Sequence, residues 1–126
     1  MSASLSRIIL FGHQLGKLKS FYIDHFDFSV VEEIPDQWIV LKAGATELAL
    51  HKVGMEYEPV NGQPFVAESN TKLVFTITDG IEAFGQRLAG QGIEIGPVRS
   101  FPGIPSLFCD GKDPEGNVFQ IEQWRG

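Results

Sequence analysis

The residues best placed to do chemistry lie on the last predicted strand, Val118–Trp124. Side chains alternate between the two faces of a strand, so Glu122 and Trp124 share one face. Phe119 and Ile121 point the other way and are predicted to form the core side. A tryptophan beside a carboxylate is an odd choice for a plain solvent surface. We therefore interpret that face as the wall of a concave sheet, which could hold a ligand.

Three histidines and one cysteine offer further chemistry. His51 could be a general base, a hydrogen-bond donor to a ligand, a metal ligand or a rim side chain with no role. A metal site of His13, His51 and Glu122 is a further alternative. His25 is predicted to lie on a helix, at the surface or in packing. Cys109 has no adjacent basic residue to activate it, which favours a structural thiol.

The composition limits the classes of function. A chain of 126 residues with 43% hydrophobic residues suits one globular domain. The net charge of −6 argues against nucleic acid, which requires concentrated Lys and Arg, and against an anionic membrane surface. No apolar run approaches the ~20 residues of a membrane span, and residues 1–6 do not resemble a secretory signal. A single cysteine allows no internal disulfide and fits a cytoplasmic protein.

The chain repeats one series of elements. In the first half, the residue pattern predicts a strand at 7–11, a helix at 15–26 and three strands at 28–34, 38–42 and 47–53. The second follows a predicted linker at 54–70, with strands at 72–78, 93–99, 106–109 and 118–124 and a helix that starts at a capping box of Asp79 and Glu82. Alignment of the halves places Arg7 opposite Lys72, and Ala49 opposite Glu122. The pattern predicts an α+β fold of paired βαβββ repeats, about 6–53 and 71–124, within a single domain 1–126.

The turn before the last strand carries a family resemblance. Asp113-Pro114-Glu115-Gly116-Asn117, followed by Phe-x-Ile-Glu, resembles the closing hairpin of the vicinal oxygen chelate superfamily. That superfamily contains glyoxalase I, bleomycin-resistance proteins, fosfomycin-resistance enzymes and extradiol dioxygenases. Phe21-Tyr22 and Leu48-Ala49-Leu50-His51 are similar to two other family motifs, so the resemblance covers about Ser6 to Trp124. It implies a curved mixed sheet around a cleft, and a homodimer.

In metal-dependent members of this superfamily, four positions facing the cleft carry His, Glu or Gln ligands. Carried over by the resemblance, these positions hold Arg7, Ala49, Lys72 and Glu122. Only Glu122 coordinates a divalent cation well, because Ala49 has no donor atom and the two basic side chains are protonated. The resemblance therefore implies that no cofactor is bound. A divalent metal held by His51 and Glu122 is the alternative.

We interpret the two basic residues as a replacement for the metal. An unpaired buried carboxylate is costly, so Lys72 and Arg7 are expected to neutralise Glu122 and to leave one positive charge for an anionic group. This predicts a metal-independent protein that binds a small anionic or aromatic molecule. The expected ligand-binding residues are Arg7, Ala49, His51, Lys72, Glu122 and Trp124. The alternatives are a metal-dependent lyase, isomerase or dioxygenase of the glyoxalase type, a metal-free enzyme that uses His51 or Lys72 for acid–base work, and a structural ion pair that closes the site.

Overall fold

The computed structural model describes residues 2–60 and 62–126, which form two compact units divided between Val66 and Ala67. Each unit contains one predicted βαβββ repeat, so the fold class is confirmed. Met1, in the segment tested for a signal sequence, and Asn61, in the predicted linker, lie outside the described residues. Over the described residues, neither helix has the length and apolar character needed to cross a bilayer.

The first unit packs one helix on a four-stranded sheet. Its elements are β1 (Arg7–Gly12), α1 (Leu15–Phe26), β2 (Ser29–Ile34), β3 (Trp38–Ala43), β4 (Thr46–Lys52) and a short 3-10 helix (Met55–Tyr57). The strand order is β1-β4-β3-β2, and only the β1–β4 pair is parallel. The helix lies on β3 and β4 because its apolar residues recur at helical spacing and form one stripe, in which Leu18 and Tyr22 are fully buried.

The second unit repeats this arrangement. Its elements are β5 (Leu73–Ile77), α2 (Ile81–Gly90), β6 (Arg99–Phe101), β7 (Ile104–Lys112) and β8 (Val118–Trp124). The strand order is β5-β8-β7-β6, with β5 parallel to β8. The helix lies on β7 and β8. Phe119 and Ile121 are fully buried, which confirms the predicted core side of β8.

Two local predictions in the second unit were wrong. The predicted strand at 93–99 is reduced to a single bridge between Ile95 and Gly111, and regular pairing starts only at Arg99. Pro97 interrupts this segment because proline has no backbone N–H to donate. The predicted capping box is also absent: Gly80 holds the N-cap position with φ 78°, and the first helical N–H, that of Ile81, donates to Gln123 Oε1 at 2.9 Å.

Each sheet has one face against its helix and one opposite, which we call the helix-free face. Alternation along the strands and the pairing register assign residues to these faces. In the first sheet the helix-free face contains Arg7, Ala49 and His51. In the second sheet, the helix-free face contains Glu122 and Trp124. The candidate residues of each unit therefore lie on a common face of their sheet.

Candidate functional site

Arg7 forms an ion pair and an aromatic contact within the first unit. Its guanidinium donates to Glu47 Oε1 from Nε at 3.0 Å and from Nη2 at 2.8 Å, and lies 5.4 Å from the centre of the Trp38 ring. Glu47 is its direct neighbour on β4, so the pair follows from the strand register. Arg7 is therefore already paired within its own unit, and its expected pairing with Glu122 of the second unit stays a prediction. Ala49, two residues further along β4, is fully buried.

His51 belongs to an aromatic cluster on the same face. Its ring makes edge contacts with Phe11 at 5.2 Å and with Trp38 at 5.7 Å between centroids. Its Nδ1 lies 2.8 Å from the carbonyl oxygen of Lys52. A carbonyl can only accept, so Nδ1 donates this bond, and Nε2 of a neutral ring is the remaining acceptor.

His13 contacts the segment that follows β4. It pairs with Glu58, which also accepts from Lys52 Nζ at 2.9 Å, while the same ammonium donates to the His13 carbonyl at 2.7 Å. The hydrogen bond from Lys52 and the nearby positive charges lower the pKa of Glu58, against a smaller opposing effect of desolvation. Within residues 2–60 and 62–126, no three His, Cys, Asp or Glu side chains are grouped to hold a metal ion. The alternative site of His13, His51 and Glu122 draws on both units and stays a prediction.

Lys72 and Glu122 do not pair, which corrects the central prediction from the sequence. Lys72 Nζ donates instead to Asp110 Oδ2 at 2.9 Å, and Glu122 Oε2 accepts from Ser106 Oγ at 2.8 Å. The strand partner of Glu122 is Thr76. Lys72 lies four residues before Thr76, which is about 13 Å along a strand. That separation exceeds the reach of a lysine side chain.

The same register revises the alignment of the two halves. In the first sheet Arg7 lies two residues before Ile9, the strand partner of Ala49. The equivalent residue in the second sheet is two before Thr76, namely Val74. The alignment of Arg7 with Lys72 was therefore displaced by two residues.

The revised positions do not fit a divalent metal. The four residues that now correspond to the ligand positions of metal-dependent relatives are Arg7, Ala49, Val74 and Glu122. Ala49 and Val74 have no donor atom, and Arg7 has no acceptor atom. A single carboxylate remains, whereas protein metal sites of this kind use three or four ligands.

The second unit contains a cavity of about 170 Å³. It is lined by Lys72, Gly96, Pro97, Arg99, Phe101, Phe108, Cys109, Asp110 and Gln120. Two cationic side chains and one carboxylate give this wall a net positive charge. Partial burial would raise the pKa of Asp110, but hydrogen bonds from Lys72 and Gln120, with the charges of Lys72 and Arg99, outweigh burial and lower it. Asp110 is thus a carboxylate at neutral pH.

Cys109 lines this cavity, whereas Trp124 does not. Burial raises the pKa of the Cys109 thiol to about 11, and the charges of Asp110 and Glu82 contribute. Such a thiol is a poor nucleophile at neutral pH, as the sequence suggested. Trp124 shares the helix-free face with Glu122 but is 63% exposed and does not line the cavity.

Sequence reasoning missed Arg99, Phe108 and Asp110. Asp110-Gly111 has the composition of a turn, so the predicted strand ended at Cys109. The strand in fact continues to Lys112. Alternation along the longer strand places Phe108 and Asp110 on the helix-free face, opposite Glu122 and Gln120 respectively. A longer β7 would have been the signal that found Asp110.

Comparison with known proteins agrees with this fold. The lactoylglutathione lyase of Agrobacterium tumefaciens is 20% identical, with 97% of this chain and 94% of that chain covered and a TM-score of 0.75. The fosfomycin resistance protein FosX of Listeria monocytogenes is 16% identical, with 98% and 92% covered and a TM-score of 0.77. A mutant of that FosX, complexed with Mn(II) and 1S,2S-dihydroxypropylphosphonic acid, gives 16% identity, 96% and 90% coverage and a TM-score of 0.75.

At these identities the solved structures establish the shared fold and nothing more. No curated protein sequence gives a significant match. A family model, described as the Glyoxalase/Bleomycin resistance protein/Dioxygenase superfamily, matches residues 4–121. That match spans nearly the whole chain, including the first repeat and all but the last residues of the second. The chain therefore belongs to the Glyoxalase/Bleomycin resistance protein/Dioxygenase superfamily.

Proposed function

We propose that this protein binds a small organic anion in the cavity of its second unit, without a resident divalent metal. The proposal rests on one observation, which is that two cationic side chains and two aromatic rings line the same cavity. Lys72 and Arg99 line the cavity together with Phe101 and Phe108, whose ring centroids are 5.7 Å apart. An anion with a planar apolar part matches both features.

The charge balance favours an anion over a cation. Asp110 is the only carboxylate in the lining, and Lys72 already neutralises it. Among the described residues, no carboxylate lies within ion-pair distance of Arg99. The volume of about 170 Å³ is close to the ~150 Å³ of an apolar cavity that holds benzene, so a single substituted ring fits.

The comparisons give this proposal limited support. The FosX mutant named above is complexed with a phosphonic acid, which is a small organic anion, and with Mn(II). We extend only the anion to this chain, because Ala49 and Val74 cannot supply metal ligands. The homodimer, expected from the family resemblance, and the cytoplasmic location, expected from the single cysteine, stay predictions.

Calorimetric titration of the purified chain with benzoate and with benzenesulfonate tests the proposal. We expect saturable binding of both anions, with one site per chain and the same affinity in the presence of EDTA. Benzylamine, a cation of similar size, is expected not to bind. Loss of anion binding in EDTA that Mn²⁺ or Zn²⁺ restores would contradict metal independence and favour the glyoxalase-type enzyme.

Single replacements of the two cations locate the site. Lys72→Met and Arg99→Met should each weaken benzenesulfonate binding by about tenfold, because each removes a hydrogen bond to a charged group. Lys112→Met is the matched control, since Lys112 lies on β7 and pairs with Glu94 at 3.4 Å but does not line the cavity. Equal losses in all three variants would mean that general surface charge, and not this cavity, attracts the anion.

Asp110→Asn should have the opposite effect on the anion. The variant removes the negative charge that competes for Lys72, so benzenesulfonate should bind about fivefold more tightly at pH 7.

Because the pKa of Asp110 is lowered by folding, its ion pair stabilises the native state above the usual carboxyl pKa. That stability is lost as the pH falls through the lowered value. The pair is half exposed, so the loss in the variant should stay below ~1 kcal/mol. Weaker binding in Asp110→Asn would show that Asp110 contacts the ligand as an acceptor.

A further inference from the structure

Among the described residues, only one of the two carboxyl oxygens of Glu122 accepts a hydrogen bond. Ser106, which is 2% exposed, donates its hydroxyl to Glu122 Oε2 at 2.8 Å. No residue in the described part of the chain donates a hydrogen bond to Oε1. The serine therefore fixes the orientation of the carboxyl group and leaves Oε1 as an acceptor on the helix-free face.

Glu122 does not itself line the cavity, and Phe108, which does, lies between this acceptor and the cationic side of the cavity. Arg99 pairs with Phe108 across β6 and β7, and Phe108 pairs with Glu122 across β7 and β8. The three residues form one row across the sheet. Neighbouring strands lie about 4.8 Å apart, so the Cα atoms of Arg99 and Glu122 are roughly 10 Å apart. An aromatic ring with a polar group at each end is comparable in length to that separation.

We propose that the ligand is an aromatic acid with a hydrogen-bond donor at the end opposite its anionic group. The anion contacts Arg99 and Lys72, the ring lies against Phe108, and the donor, a hydroxyl or amino group, binds Glu122 Oε1. Ser106 acts as the positioning residue for that acceptor. This inference rests on the proposed anion site and adds the polarity of the far end of the ligand.

Two matched pairs of aromatic acids test whether the ligand donates a hydrogen bond to Glu122. Benzoate is compared with 4-hydroxybenzoate, and phenylacetate with 4-hydroxyphenylacetate, which is one carbon longer. In at least one pair the hydroxyl should lower the dissociation constant about fivefold or more, because it forms a hydrogen bond to a charged group. The same hydroxyl at the ortho position points away from Glu122, so 2-hydroxybenzoate should show no such gain.

Glu122→Gln reverses the hydrogen-bonding character at Oε1. Ser106 can still donate to the amide oxygen of the variant, and the amide NH₂ group then replaces the acceptor with a donor. The variant should therefore bind benzoate like the wild type but lose the preference for 4-hydroxybenzoate. Ser106→Ala should reduce that preference partially, since the carboxylate is no longer oriented. Glu94→Gln, on an exposed side chain outside the cavity, is the control and should keep the preference.

The outcomes separate this inference from the proposed function. Two results would overturn the proposed hydrogen-bond donor and leave the anion site in place. One is equal affinity for both members of each pair, and the other is a preference for the 4-hydroxy acid that survives in Glu122→Gln. Failure of all the acids to bind the wild type would overturn both. Loss of the preference in Glu122→Gln with retained benzoate binding supports the inference.

Discussion

Replacement of Gly111 by alanine should lower the free energy of unfolding by about 2 kcal/mol. A Cβ at this position would lie 2.4 Å from Phe119 Cζ, 2.9 Å from Phe119 Cε1 and 3.0 Å from the carbonyl oxygen of Glu94. Phe119 is fully buried, and the Glu94 carbonyl accepts a backbone hydrogen bond from Lys112 at 3.0 Å. Neither neighbour can move without cost. Urea denaturation, followed by circular dichroism, measures the loss.

Gly85→Ala is the matched control for this prediction. Gly85 lies within α2, and a Cβ there meets no atom within 4 Å. Alanine is favoured over glycine in a helix, so this variant should gain about 0.5–1 kcal/mol. In a Phe119→Leu background the ring is replaced by a shorter side chain that lacks the two clashing ring atoms, and the cost of Gly111→Ala should shrink. A cost that is the same in both backgrounds would mean that Phe119 is not the obstacle.

Asp113→Ala should cost about 3 kcal/mol, the other large effect we expect. Asp113 is 5% exposed, and its Oδ1 accepts from the backbone N–H groups of Glu115 at 2.9 Å and Asn117 at 3.0 Å. Its Oδ2 accepts from Asn117 Nδ2 at 2.8 Å. Truncation leaves these donors without their acceptor in the turn that leads into β8. Thermal and urea denaturation measure the change.

Two further variants define the origin of that cost. Asp79→Ala removes an exposed turn aspartate and should stay within about 0.5 kcal/mol of the wild type. Asp113→Asn keeps one oxygen for the two backbone donors but places an amide NH₂ against the Asn117 amide, so about 1 kcal/mol is expected. An Asp113→Ala cost as small as that of Asp79→Ala would show that the turn does not depend on the side chain.

Most elements of this fold were predictable because their signals are local. The helical spacing of Leu15, Leu18 and Tyr22 specifies α1, and the alternation after Asn117 specifies β8. The partners of the candidate residues were not predictable in this way. The alignment placed the first residues of two predicted strands, Arg7 and Lys72, opposite each other, but the register of β5 is set by pairing with β8, which lies far along the chain. A shift of two residues preserves the face of every side chain, so alternation alone could not detect the error.

The location of the candidate cavity was missed for a different physical reason. Asp110-Gly111 matches a turn in composition, yet Gly111 lies in the strand because the Phe119 ring occupies the space where a Cβ would be. A glycine required by close packing cannot be distinguished by sequence from one required by a turn. The strand therefore ended too early in the prediction, and the partner of Lys72 was lost with it.

The parallel strand pairs also determine how each unit assembles. The other strand pairs within a sheet are antiparallel and local in sequence, but β1–β4 and β5–β8 join segments about forty residues apart. Closing a flexible loop of that length costs about 3 kcal/mol of chain entropy before the pairing contributes. Each loop contains the helix of its unit, and a formed helix shortens the loop that must close. The rate at which each sheet closes is thereby coupled to the stability of α1 or α2, neither of which has a side-chain cap from its N-cap residue.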